Sequence, residues 1–219
     1  MKPSFDVYLF GDSILENSSY VELYKDVITN IECKLKTPSL GFQYDIELHR
    51  FATDGAMTAD IRDQVIQAKS ADFSELGYKI AVFTGGGNDA LGMLHLLRHI
   101  KCYELDHPLV QKEWNYWMNV YNELLEELIY EFTATIPCTI YNEIPTFNAA
   151  DKMIFRLYND YIMEKANGLD LKCCDIRTVM KNPEDYSEVS PIEPSVIGGE
   201  WISELIVQQI VNKIKEISA

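Results

Sequence analysis

The chain reads as an α/β protein, a three-layer α/β/α sandwich built on a five-stranded parallel sheet. Three observations predict this. Short runs of β-branched, aromatic and aliphatic residues alternate with longer amphipathic runs, the order produced when parallel strands are joined by helical crossovers. Polar and glycine-rich segments fall directly after strand-like runs, where an open α/β sheet carries its ligand site. No shift in composition divides the 219 residues, 47% of which are hydrophobic, so one domain spanning 1–219 with one sizeable core is expected.

The strands are expected at 6–10, 44–51, 78–84, 138–142 and 169–175, each short and rich in β-formers. Helices are expected at 19–36, 58–70, 89–102, 110–132, 148–166 and 195–217, with Thr58 a plausible cap for the second. In the segment 114–132, Trp117, Tyr121, Leu124, Leu128 and Phe132 recur at helical spacing and predict a buried stripe, with Glu123, Glu126 and Glu127 facing water. No internal repeat is present.

A formal net charge of −15 argues against nucleic acid or an anionic membrane as partner, because both need clustered Lys and Arg to displace counterions. The five cysteines, Cys33, Cys102, Cys138, Cys173 and Cys174, have no metal-ligand spacing and read as reduced thiols. The first strand begins too near Met1 for a leader peptide, and no apolar run approaches a membrane span, so a cytoplasmic location is expected.

Four loops after the expected strands carry the chemistry: Gly11-Asp12-Ser13, then Thr53-Asp54-Gly55, then Gly85-Gly86-Gly87-Asn88-Asp89, and the stretch 190–199. A nucleophile and preorganised donors on one sheet edge are what acyl transfer requires. In this order the blocks resemble those of the SGNH, or GDSL, hydrolase family across nearly the whole chain. The resemblance implies a flavodoxin-like α/β/α fold and a serine esterase or lipase acting on a small-molecule ester without a cofactor. It also implies Ser13 as nucleophile, and Ser13 N–H, Gly55 N–H and the Asn88 side chain as the oxyanion hole.

The last block departs from the pattern. The family ends in Asp-x-x-His with a glycine five residues after the histidine; here Gly198 fixes the register, and Ser190 and Glu193 stand at the aspartate and histidine positions. The two changes are chemically coherent. A histidine base needs a carboxylate to set its tautomer. A glutamate base needs none, since a neighbouring aspartate would raise its pKa by repulsion, whereas a Ser190 hydroxyl can donate to it. An unperturbed glutamate, with a pKa of about 4.3, is a poor base for a serine. Burial beside Ile192, Pro194 and Val196 is expected to lift Glu193 toward ~6 to 7. Decay of an unused site would leave the same residues, so a pseudoenzyme acting as a small-molecule binding module is the alternative.

Competing groups have simpler readings. Asp12 is expected to tie down its loop, and Asp89 to do the same or cap its helix. Asp185 and Glu188 read as a solvated acidic turn. His95 and His99, at i,i+4, lack the intervening glutamate of a zinc helix and are expected to be surface or packing residues, so no metal is expected. His49 and His107 are the remaining histidines that could reach the site.

Overall fold

The computed structural model describes residues 2–70, 77–101 and 104–219. Among them the sheet has four parallel strands, β1 (Ser4–Phe10), β2 (Asp45–Arg50), β3 (Tyr78–Phe83) and β4 (Ala134–Pro137), in the order β2-β1-β3-β4. Strand β1 lies between two neighbours, and Phe5, Val7, Leu9 and Phe10 are fully buried. Each such side chain contributes about 1.5–3 kcal/mol of burial. The Gly11-Asp12-Ser13 loop therefore follows one of the most firmly held elements.

The expected five strands reduce to four. The fourth forms at Ala134–Pro137 rather than 138–142, and Cys138 N–H makes one more ladder bond, to Phe83 O at 2.9 Å, before the chain leaves the sheet. The fifth contracts to a single bridge between Cys138 and Cys174. Its ladder stops because Asp175 draws the backbone into a turn: its carboxylate accepts from Thr139 Oγ1 and Arg177, and its carbonyl from Thr178 Oγ1 at 2.7 Å. A 3₁₀ turn at Ile176–Thr178 follows at once.

The helices are α1 (Val27–Leu35), α2 (Pro38–Gly41), α3 (Thr58–Ser70), α4 (Gly87–Ile100), α5 (Pro108–Glu131), α6 (Ala149–Gly168) and α7 (Val196–Ser218). The helix expected at 19–36 is broken. Tyr24 has a positive φ of 63°, and Asp26 caps a fresh start by accepting from Thr29 N at 2.8 Å. Helix α3 packs on α5 and α1 on α7. The predicted stripe of α5 is buried, and its Tyr121 and the following Phe132 meet Phe83 and Phe10 of the sheet. Glu127 is not simply solvated, since it pairs with Arg62 and Lys69 of α3. No helix of the described residues is long and apolar enough to cross a membrane.

Candidate active site

The Gly11-Asp12-Ser13 loop is set by a close approach of two strands. Gly11, with φ +148°, passes so near Thr84 that a Cβ would lie 2.1 Å from Thr84 Oγ1. Buried Gln64 of α3 holds both of its peptide groups, accepting from Gly11 N at 2.8 Å and donating to Gly11 O at 2.9 Å. Thr84 Oγ1 in turn donates to Asp12 Oδ1 at 2.9 Å, an oxygen that also accepts from Ile14 N at 3.1 Å. Asp12 thus ties down the loop, as expected, and presents Ser13 at its tip.

The facing wall is the irregular segment before α7, fixed by its backbone carbonyls. Tyr141 Oη donates to Ile192 O at 2.6 Å, Ser187 N to Glu193 O at 2.8 Å, and Asn17 Nδ2 to Pro194 O at 3.1 Å. Glu193 N donates to Ser190 O at 2.9 Å, so Ser190 meets Glu193 through its carbonyl. Among the described residues its hydroxyl makes no hydrogen bond to Glu193. Gly198 secures the descent into the helix, where any Cβ would sit 2.1 Å from Asp185 O. Asp185 is buried rather than solvated, accepting from Lys181 N and Asn182 N at 2.9 and 2.7 Å. It closes its own turn, while Glu188 is exposed.

Asp12, Ser13, Asn88 and Glu193 line one small pocket with Ile14, Leu91, Ile140, Tyr141, Ile144 and Phe155. Its free volume is about 20 Å³, room for about one water molecule. Glu193 is 6% exposed. Burial is the main reason that its pKa rises to about 7; the nearby Ser13 hydroxyl, a hydrogen-bond donor, opposes the rise, and the charges of Asp12 and Asp54 add to it. Its Oε2 is buried with no partner among the described residues. Burial also lifts Asp12 to about 6, against the Thr84 hydrogen bond.

Asn88 Nδ2 donates to Ala56 O at 3.0 Å, which leaves it one further N–H. The amide N–H groups of Ser13 and Gly55 make no hydrogen bond among the described residues. Gly55, in the left-handed region at φ +79°, belongs to an exposed turn and lines a separate, open depression with Thr53, Asp54 and Asp60. Asp89 caps α3 instead of its own helix, accepting from Thr58 N at 3.0 Å and Thr58 Oγ1 at 2.8 Å. Thr58 is thereby the first residue of α3, and its hydroxyl also accepts from Trp117 Nε1 at 3.0 Å.

No histidine lines this pocket. His95 and His99 are exposed on α4, His107 caps α5 by accepting from Leu109 N, and His49 points to Asp6, 3.1 Å from its Oδ1. Cys33, Cys138, Cys173 and Cys174 are free thiols, and Cys102 lies outside the described residues. Desolvation pushes the Cys173 thiol up to about 12, which keeps it protonated and unreactive. Sequence reasoning missed Asn17, Gln64, Thr84 and Tyr141, none of which belongs to a recognisable motif.

No protein-family model matches the sequence, and comparison with curated proteins finds no match. Solved structures do. A lipase from a goat rumen metagenome is 18% identical, covering 94% of this chain and 96% of its own, with a TM-score of 0.72. A lipolytic protein of the G-D-S-L family from Veillonella parvula is 12% identical over 93% and 97% of the two chains, with a TM-score of 0.68. A catalytic mutant of an acetylxylan esterase from Geobacillus stearothermophilus is 13% identical over 96% and 95%, with a TM-score of 0.71. The chain has the α/β fold of these three solved proteins.

Proposed function

We propose that the chain is an SGNH-type serine hydrolase, a single domain over 1–219, that cleaves a small-molecule carboxylic ester through Ser13 with Glu193 as general base. The observation that carries this reading is the meeting of the Ser13 hydroxyl and a desolvated glutamate in one buried pocket. A base with a pKa of about 7 is half ionised near neutrality, the compromise between protonation state and driving force that general-base catalysis favours.

In the proposed reaction Ser13 Oγ attacks the ester carbonyl while its proton passes to Glu193. The charge that develops on the carbonyl oxygen is met by Ser13 N–H and the second Asn88 N–H; Gly55, in its separate depression, is left out of the proposed set. Protonated Glu193 then hands its proton to the departing alcohol, leaving an acyl group on Ser13. A water in the vacated space is deprotonated by Glu193, attacks the acyl carbon and releases the acid, and Ser13 regains a proton. Ser190 serves this cycle by the turn that its carbonyl makes with Glu193 N–H.

The rival reading is a silent SGNH fold whose pocket only binds a small molecule. In its favour stand Gly55 in a separate depression and Asn88 engaged with Ala56. A short-chain ester assay beside Ser13→Ala separates the two. Turnover that disappears with the hydroxyl supports the hydrolase, and absence of turnover in the wild type with retained ligand binding supports the rival.

A further inference from the structure

On the sheet face that carries Tyr8 lies a second acidic group, unconnected with ester chemistry. Asp6 is 4% exposed. Its Oδ1 stands 3.1 Å from His49 Nε2, while Oδ2 is buried with no partner among the described residues. The parallel register pairs Asp6 with Glu47 and Tyr8 with His49. Strand alternation therefore projects Asp6, Glu47 and His49 to the same side, and one ligand atom from each lies within 4.8 Å of the others. Tyr8 stacks on the His49 ring at 4.4 Å and 17°, which fixes the plane of the imidazole. Among the described residues neither carboxylate has a lysine or arginine ion pair. A buried carboxylate with an unused oxygen is costly unless a cation or a full set of donors meets it.

We propose that Asp6, Glu47 and His49 form a binding site for a divalent metal ion of the zinc type. One imidazole nitrogen with two carboxylate oxygens is a mixed donor set that suits zinc, whereas magnesium and calcium favour oxygen alone. Three protein ligands leave a fourth, tetrahedral position to water. Two carboxylates neutralise the ion. Glu47 is exposed, so the ion arrives from solvent on that side. Because β2 is an edge strand paired with β1 alone, a bound ion would clamp the edge of the sheet.

The site is tested by calorimetric titration of zinc chloride into the full chain after chelator treatment. One saturable site per chain is expected, weakened at least ~100-fold by His49→Ala or Glu47→Gln, beyond the ~10–100-fold typical of losing a residue that only orients a ligand. Glu47→Gln alters an exposed side chain, so its result does not depend on a buried change being tolerated. The double variant His95→Ala with His99→Ala should bind as the wild type. Absence of saturable binding, binding that survives both site variants, or binding lost with the α4 histidines would each overturn the assignment.

Discussion

The two walls of the Ser13 pocket are built by different physics. The Ser13 wall rises from β1 and is specified by steric closeness: Gly11 fits against Thr84 because it has no side chain, and Gln64 grips both of its peptide groups. The Glu193 wall has no strand beneath it. It is held by hydrogen bonds from Tyr141, Ser187 and Asn17 to three successive carbonyls. A wall set by packing tolerates little change, because interiors relax only partially around a misfit. A wall set by separate hydrogen bonds weakens one donor at a time, by about 1–3 kcal/mol for each carbonyl left unpaired. Ser13 is thus anchored to the fold, and the group at position 193 sits on a segment that can be altered more gently.

Substitutions in each wall sharpen this contrast. The largest effect is expected from Gly11→Ala, which combines a 2.1 Å approach to Thr84 Oγ1 with a φ of +148°. A loss of roughly 3 kcal/mol or more, read by denaturant unfolding, is consistent with overpacking plus backbone strain. A loss below about 1 kcal/mol would show that the Ser13 wall is not sterically fixed. Tyr141→Phe should cost about 1–3 kcal/mol by leaving the Ile192 carbonyl without its donor, and should lower kcat more than it raises KM by releasing Glu193.

Protonation gives a third contrast. The folded pKa of Glu193, about 7, lies above its ordinary value of 4.5. Between these two pH values the folded state holds a proton that the unfolded chain has released, so stability falls as pH rises through this window and levels off above pH 7. The full drop is on the order of 3 kcal/mol. Glu193→Gln should remove the part of this slope between pH 6 and 7, leaving below it the part that Asp12, lifted from 3.8 to about 6, contributes, and should leave the protein more stable than wild type in mild alkali, which thermal melts across the window will read. The smallest effect is expected from Asp12→Asn. Removing that charge should move the acid limb of the pH–activity profile to lower pH by less than about one unit. An upward shift would contradict the repulsion between Asp12 and Glu193.

Much of this architecture was legible in the sequence because strand β1 and its Gly-Asp-Ser loop, the Gly-rich loop before α4 and the α5 stripe follow local periodicity. The fifth strand was not, because Asp175, Thr139, Arg177 and Thr178 compete for its backbone, and that contest appears only when the segments meet in space. The same holds for the site. Ser13, Asn88 and Glu193 are visible as motif residues, whereas Asn17, Gln64 and Tyr141 act across separations of 177, 53 and 51 positions. The notion that Ser190 orients Glu193 through its hydroxyl assumed a side-chain contact, while the turn uses the carbonyl. Asp185 looked solvated because its neighbours are polar, yet two backbone amides draw it inward.

Activation of Ser13 by Glu193 is tested by the rate at which an ester-mimicking phosphonate labels Ser13, followed by mass spectrometry across pH. Adduct is expected on Ser13, at a rate that rises through an apparent pKa near 7 and falls about 10²- to 10⁴-fold in Glu193→Gln, the range of general-base catalysis. Labelling of Glu193→Gln at the wild-type rate, or an adduct elsewhere with Ser13 untouched, would contradict it.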